Sequence, residues 1–321
     1  MSVLALPLLS ALLSAITIFL MLRVGRVGPL DLPNQRSLHT VAVPRSGGIG
    51  ILAGVIVGMA AEPPALTVLA GFILVALVSW WDDRRSLPVV ARFASHFTAG
   101  GLALGGGLAA QWAEWGLWGQ VAALLGIVWM TNLYNFMDGA NGLAGGMAVF
   151  GFGAYAVAAG TAGQVPLAAW ASCIAAAAGG FLLFNFDPAR IFMGDIGSVS
   201  LGFLAAILGL EGMRLEVWPI WFPLLVFAPF VVDASVTLAK RALRGDKVWQ
   251  AHREHYYQRL VRSGWSHRKL ALHEYGLMAA VSVSACAMLT WPAGAQGAGL
   301  LAWVVLLGGL MLRIDTLVME K

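Results

Sequence analysis

The chain is a succession of apolar runs of roughly 15–20 residues, each long enough for a helix to cross much or all of a membrane's hydrocarbon core. ALTVLAGFILVALVS, residues 65–79, is one of them. In lipid, backbone polar groups must be satisfied inside a helix or a closed barrel. Repeated runs of this length read as transmembrane helices. Of the 321 residues, 59% are hydrophobic and 11% are charged, against about 25% charged in soluble domains. The expected fold is an all-α integral membrane protein, one polytopic domain over residues 1–321.

Eleven helices are expected, near 3–22, 46–61, 66–81, 95–113, 117–132, 142–160, 167–184, 198–214, 217–240, 272–291 and 297–314. The first run has no basic residue before it and has Arg23 and Arg26 after it. That is the reverse of a cleavable signal peptide and places the N-terminus outside. Strict alternation then puts loops at about 23–45, 82–94, 133–141, 185–197 and 241–271 in the cytoplasm, together with the C-terminus. Of the 20 Lys and Arg residues, only Arg214 falls at an outside end, as the positive-inside rule requires. Every aspartate falls on the inside half, whereas Glu62, Glu114, Glu211 and Glu216 mark the outside.

A pI of about 9.3 invites a nucleic-acid reading. The basic residues, however, lie in short interhelical loops rather than along one face or in a tail, so no nucleic-acid partner is expected. Cys173 and Cys286 each fall inside an apolar run, with neither metal spacing nor a disulfide framework. The glycine-rich stretch 100–107 suits close helix packing.

The chemistry-bearing residues sit in the inside loops. DLPNQRSLHTVAVPRSGG, residues 31–48, offers Arg36, His39 and Arg45 as cationic donors on a loop shaped by proline and glycine; a plain positive-inside anchor is the alternative. WWDDRRS, residues 80–86, sets Asp82 and Asp83 side by side at a membrane edge. Two adjacent carboxylates there suit a divalent cation or a proton, and oxygen ligands suit Mg²⁺; local pairing with the following arginines is the other reading.

In TNLYNFMDGANGLAGG, residues 131–146, Asn132, Asn135 and Asp138 recur every third position, near one face of a helix end. The glycines that follow let a ligand approach the backbone. In NFDPARIFMGDIGS, residues 185–198, Asp195 lies between Gly194 and Gly197. It is expected on an open turn, with Ser198 capping the next helix and that helix end facing an anion. In AHREHYYQRLVRSGWSHRKL, residues 251–270, His252 and His255 are surrounded by Arg253, Arg259, Arg262, Arg268 and Lys269. Zinc would need further close ligands, so phosphate binding is the better reading, with a basic helix lying on anionic lipid as the alternative. Asp233, alone deep in an apolar run, is either functional or a helix-fixing hydrogen-bond acceptor.

Together, DD at 82–83, NFMDG at 135–139, PARIFMGDIGS at 188–198 and HREHYYQRL at 252–260 resemble the polyprenyl-phosphate N-acetylhexosamine-1-phosphate transferases. That family includes the enzymes that start O-antigen synthesis and the phospho-MurNAc-pentapeptide translocase. The resemblance spans nearly the whole chain and implies transfer of a sugar 1-phosphate from a UDP-N-acetylhexosamine of the GlcNAc or FucNAc type. The implied acceptor is undecaprenyl phosphate, with Mg²⁺ as cofactor, UMP released, and the bacterial inner membrane as location. It implies that Asp82 and Asp83 match the family's catalytic aspartate pair, that Asp195 holds the metal, that Asn135 and Asp138 lie in the nucleotide-contacting segment, and that His252 and His255 form the histidine motif. The residues themselves add Asp83 as a second metal ligand and Asn132, Arg259, Arg45 and His39 as substrate contacts. Asn141 departs from the family, which often has an aspartate there. Oligomeric state is left open, a homodimer included. A transporter or lipid flippase would gather its polar groups near mid-membrane, and a lipid phosphatase is the second rival.

Overall fold

The computed structural model describes residues 5–25, 28–32, 38, 41–108, 116–250 and 252–319. The described chain is all-α apart from one pair of two-residue strands. Seven of its helices are long and apolar enough to cross a membrane: Ala5–Val24 (α1), Gly116–Phe136 (α5), Leu143–Thr161 (α6), Val165–Asn185 (α7), Gly194–Arg214 (α8), His267–Met288 (α12) and Ala293–Met319 (α13). Gly47–Ala61 (α2) and Leu66–Asp82 (α3) are apolar but shorter. Val89–Ala103 (α4) runs into a π-helical segment, Leu104–Leu108.

The most buried helix is α8, enclosed by α2, α3, α5 and α6. Small residues permit this crowding. A Cβ on Gly48 would lie 2.4 Å from the Gly197 backbone, and one on Gly202 would lie 2.8 Å from the Met130 carbonyl. Without a hydrophobic drive between helices in lipid, such close backbone approach is a principal source of helix association. Within the 100–107 stretch, Gly100 and Gly106 abut neighbouring side chains, whereas Gly101 and Gly105 face open space. Cys173 is buried, Cys286 is half-buried, and both are free.

Several expected boundaries differ. The run 217–240 is two helices, Trp221–Val226 (α9) and Ala228–Leu243 (α10). Pro229 has no N–H to donate and its ring clashes with the preceding turn, so one continuous helix is interrupted there. The helix expected from 95 begins at Val89, directly after Pro88; its first turn carries the polar Arg92, which hydropathy discounts. The expected loop 241–271 contains a short helix, Tyr256–Arg262 (α11), and the start of α12. The helix expected from 198 begins at Gly194.

Two features set the site. Strand Leu30–Asp31 (β1) pairs antiparallel with Val43–Pro44 (β2), in the register Leu30 with Pro44 and Asp31 with Val43. The segment entering α8 then lies along β2. Phe192 N–H donates to the Pro44 carbonyl at 2.8 Å, Gly47 N–H to the Phe192 carbonyl at 2.8 Å, and Gly48 N–H to the Met193 carbonyl at 2.8 Å. This ladder brings Arg45 to the mouth of α8. The C-terminal ends of α3 and α5 and the N-terminal ends of α4, α6 and α8 meet around it, on one face of the bundle.

Candidate active site

Asp83, 8% exposed, accepts hydrogen bonds from the first amides of α8: Asp195 N–H at 2.9 Å and Ile196 N–H at 3.0 Å. A carboxylate there neutralises the positive end of the helix dipole and satisfies orphan donors. Gly194 makes the approach possible. Its φ is +72°, and a Cβ would stand 2.8 Å from both Asp83 Oδ2 and the Arg45 carbonyl. Arg45 Nη2 lies 3.2 Å from Asp83 and 3.2 Å from Asp195, linking the two carboxylates.

This corrects two expectations. Asp195 sits in the first turn of α8 rather than on an open turn, and the helix end faces the chain's own Asp83 rather than an external anion. Ser198 does not cap. It lies inside α8, donating to Asn135 Oδ1 at 2.7 Å and to the Gly194 carbonyl at 3.1 Å, and so ties α8 to the end of α5.

A cleft of about 500 Å³ opens over this arrangement, walled by Asp31, Asp82, Asp138 and Asp195 with Arg45, Asn135, Asn141, Phe136 and Phe192. Asp82 accepts from Leu87 N–H at 2.5 Å and lies 3.5 Å from Arg92. Its carboxyl group is within hydrogen-bonding reach of Asp195. Burial raises the Asp83 carboxyl above the usual range, with Asp82 adding to the shift against the α8 amides and Arg45. Burial, reinforced by the charges of Asp195 and Asp83, holds Asp138 well above it. The cleft gathers four aspartates, Asp31, Asp82, Asp138 and Asp195, against two arginines, Arg45 and Arg92.

That excess suits a divalent cation. Among the described residues no group of three or more His, Cys, Asp or Glu side chains forms a closed metal cage. Mg²⁺ does not need one, since it commonly takes one or two carboxylates plus substrate phosphates. Asp82 and Asp195 are the adjacent pair facing the cleft. Asp83, expected as a metal ligand, already has both oxygens engaged by α8.

Beside the cleft runs a groove of about 710 Å³, largely apolar, with Val89, Phe93, Phe97, Leu125 and Trp129 along it and Asn132, His252 and His255 at its polar end. Arg92, Asn135, Phe136 and Gln258 line both cavities. Asn132 thus belongs to the groove and not to the acidic cleft, because successive helical positions three apart drift around the axis.

The histidine segment is held from below. Asp233, 6% exposed, accepts from Tyr256 N–H at 2.9 Å and Tyr257 N–H at 3.0 Å and lies 3.2 Å from His255 Nδ1. Asp233, on α10, thus serves as the hydrogen-bond acceptor that fixes the start of α11. Tyr257 reaches across to donate to the Phe136 carbonyl at 3.0 Å, over Gly139. The close approach expected of a ligand at Gly139 is made by Tyr257. Burial, together with the charges of His255 and Arg241, lowers His252 to about 4, so it is neutral near pH 7.

Arg259, expected on phosphate, is paired with Asp315 of α13 at 2.6 Å, and Lys240 meets the same carboxylate at 2.6 Å. Arg253, Arg262, Arg268 and Lys269 line neither cavity. His39 and Arg36 lie outside the described residues.

Sequence reasoning passes over Asn185 and His267. Asn185 accepts from Gly142 N–H at 2.9 Å and donates to the Ile191 carbonyl at 2.9 Å. His267 Nδ1 accepts from Asn141 N–H at 3.2 Å, leaving Nε2 to donate to the Leu38 carbonyl at 3.0 Å. Asn141 itself donates to Asp187 at 2.8 Å. The available signal was the polar pair Asn185 and Asp187, both just before Pro188 at the end of α7.

Residues 65–213 match the family described as glycosyl transferase family 4. A probable undecaprenyl-phosphate N-acetylglucosaminyl 1-phosphate transferase of Bacillus subtilis is 30% identical over 276 residues, covering 81% of this chain and 77% of that protein. A phospho-N-acetylmuramoyl-pentapeptide-transferase of Moorella thermoacetica is 30% identical over 298 residues, covering 84% and 91%. A decaprenyl-phosphate N-acetylglucosaminephosphotransferase of Mycobacterium tuberculosis is 26% identical over 332 residues, covering 88% and 81%. With relatives at this identity and coverage, and the family match lying over the helices that build the acidic cleft, the chain belongs to glycosyl transferase family 4, the polyprenyl-phosphate sugar-1-phosphate transferases that its loop motifs resemble.

Proposed function

We propose that this protein transfers N-acetylhexosamine 1-phosphate from a UDP-sugar to undecaprenyl phosphate, releasing UMP and starting a cell-envelope glycan of the O-antigen type. The observation that carries the reading is the junction at Arg92, Asn135, Phe136 and Gln258, where an acidic cleft meets an apolar groove. A polyprenyl chain fits the apolar groove with its phosphate at the polar end, and a metal-bound diphosphate fits the acidic cleft. The aromatic faces of Phe136 and Phe192 offer stacking surfaces to a base. UDP-GlcNAc and UDP-FucNAc are the donors tested first.

Asp82 and Asp195 are the residues that would hold Mg²⁺, which would screen the repulsion between two phosphates and stabilise charge on the leaving UMP. The remaining work is positioning. Arg92 and Arg45 offset negative charge at the two ends of the cleft, and Asp83 fixes α8 so that Asp195 faces the donor. Aligning an oxygen of the lipid phosphate with the sugar-bearing β-phosphorus makes the displacement effectively intramolecular. One phosphoanhydride is made as another breaks, so no separate energy source is required.

The proposed setting is the bacterial inner membrane, with eleven spans, the N-terminus outside and the cleft facing the cytoplasm. Purified protein incubated with Mg²⁺, UDP-GlcNAc or UDP-FucNAc, and undecaprenyl phosphate is expected to release UMP only when donor and lipid are both present. A transporter would release no nucleotide product, and a lipid phosphatase would release inorganic phosphate without any donor.

A further inference from the structure

We propose that Trp249 is a specificity-determining residue for the lipid acceptor, its indole packing against the first isoprene units of the prenyl chain at the polar end of the apolar groove. The inference rests on the transferase reading above and deepens it.

The loop between α10 and α11 is shaped from within. Gly245, at φ +80°, turns the chain away from α10. Its N–H donates to the Ala242 carbonyl at 3.0 Å, and Asp246 N–H donates to the Arg241 carbonyl at 3.0 Å. A left-handed glycine with bonds of this kind satisfies the last carbonyls of a helix. Arg241, 7% exposed, pairs with Glu254. Arg244 reaches both Glu254 and Asp246, the latter at 2.9 Å. Gln250 N–H then closes the next turn on the Lys247 carbonyl at 3.0 Å. Both arginines and both carboxylates are thereby engaged within the loop. What it presents outward is apolar: Leu243 is 88% exposed and Trp249 67% exposed.

An uncovered indole is a large apolar surface without a partner. Trp80, Trp81 and Trp265, at the same end of the bundle, each carry a stacked cation. Arg84, Arg85 and Lys269 lie 3.7, 5.6 and 4.2 Å from the respective ring centroids. Among the described residues no cation stacks on Trp249. Its place differs too: it lines the groove, in a stretch of wall that continues through His252, His255 and Gln258. Leu243 is not part of that lining.

The occupant this wall suits is apolar along its length and anionic at one end. Arg92 lines both the groove and the acidic cleft, so it can meet a phosphate at their junction while the chain stays in the groove. Isoprene units carry flat alkene groups that pack on an aromatic face, which a saturated acyl chain lacks. Trp249 would therefore favour a prenyl phosphate over a phospholipid of similar charge.

Tryptophans gather at membrane interfaces generally, so the test must separate recognition from anchoring. Fluorotryptophan-labelled protein in phosphatidylcholine nanodiscs reads occupancy without turnover, with the Trp249 signal assigned by its absence in Trp249→Phe. That fluorine resonance is expected to shift on adding undecaprenyl phosphate and to stay in place with dipalmitoyl phosphatidic acid at the same mole fraction. Equal shifts with both lipids reveal an interfacial anchor only and sink the proposal, as does no shift with either. In transfer assays, Trp249→Ala is expected to raise KM for undecaprenyl phosphate about tenfold or more, the scale of losing one buried apolar side chain. Its kcat and its KM for the UDP-sugar should stay within about threefold, with Trp249→Phe recovering most of the loss. Leu243→Ala, which removes an exposed apolar group outside the groove, should leave KM for the lipid within about threefold. Equal rises in the two alanine variants overturn the assignment. A resonance that answers to undecaprenyl phosphate in a wild-type protein without transfer would instead sink the transferase reading and leave the lipid contact standing.

Discussion

Asp83 accepts the backbone amide of Asp195 at 2.9 Å across 112 positions of sequence. Neighbouring aspartates in the sequence thereby take different duties. Asp83 turns inward to anchor α8, while Asp82 stays in the wall of the cleft beside the Asp195 side chain.

The two anchored residues should separate in mutagenesis. Asp83→Asn presents an amide N–H₂ to the α8 donors and should cost about 1–3 kcal/mol of stability, with activity falling as well. Asp195→Asn leaves that cap in place. It should keep a near-wild-type melting temperature while transfer drops on the order of 100-fold, the scale of lost metal assistance. Gly194→Ala, at φ +72°, should destabilise by roughly 1–2 kcal/mol from the left-handed backbone alone. Thermal unfolding in detergent beside a UMP-release assay reads all three, and equal melting temperatures for the two aspartate variants would contradict the division.

Metal binding should depend on pH. Asp83 and Asp138 are raised above the ordinary carboxylate value of 3.8. In the metal-free protein their contribution to stability is fully present below that value and is lost as pH climbs through the raised folded values. At higher pH the cleft is left with uncompensated charge, which a divalent cation relieves; at low pH protons compete with it. Mg²⁺ should therefore raise the melting temperature more at pH 8 than at pH 5. Equal increments at both would place the metal away from these carboxylates.

Arg259 and Asp315 should behave as a couple. The pair is 20% and 21% exposed, so screening limits its worth to about 1 kcal/mol. Arg259→Ala and Asp315→Ala should each loosen α11 and lower activity modestly, and the double variant should be little worse than either single one. Additive losses would show that Arg259 contacts substrate independently, as the sequence alone suggests.

Much of the site was legible because charge is expensive in lipid. Asp82, Asp138 and Asp195 stand out against apolar runs and alternate to one side, and the structure brings them to one cleft. What was not legible depends on distant partners. Whether α8 begins at residue 194 or 198 is decided by Asp83, the residue that satisfies its first amides. Arg259 reads as a free cation until α13 returns Asp315 beside it. Asn132 and Asn135 share a three-residue spacing, yet rotation around α5 sends one to the groove alone and the other to both cavities.

Orientation is checked by labelling. A cysteine in place of Pro64 should react with an impermeant thiol reagent from outside the cell, and one in place of Ser266 should not. The reverse pattern would move the cleft to the wrong side for cytoplasmic nucleotide sugars.

The most direct measurement follows oxygen through the reaction. UDP-GlcNAc, or UDP-FucNAc where that is the donor used, is prepared with oxygen-18 in the bridge between sugar C1 and the β-phosphorus, then incubated with enzyme, Mg²⁺ and undecaprenyl phosphate. Attack at phosphorus leaves that bridge intact, so the label should appear in the lipid-linked sugar with retained anomeric configuration and with one UMP released per product. Loss of the label from the sugar, or release of UDP in place of UMP, would show attack at carbon and contradict phosphoryl transfer at the junction of cleft and groove.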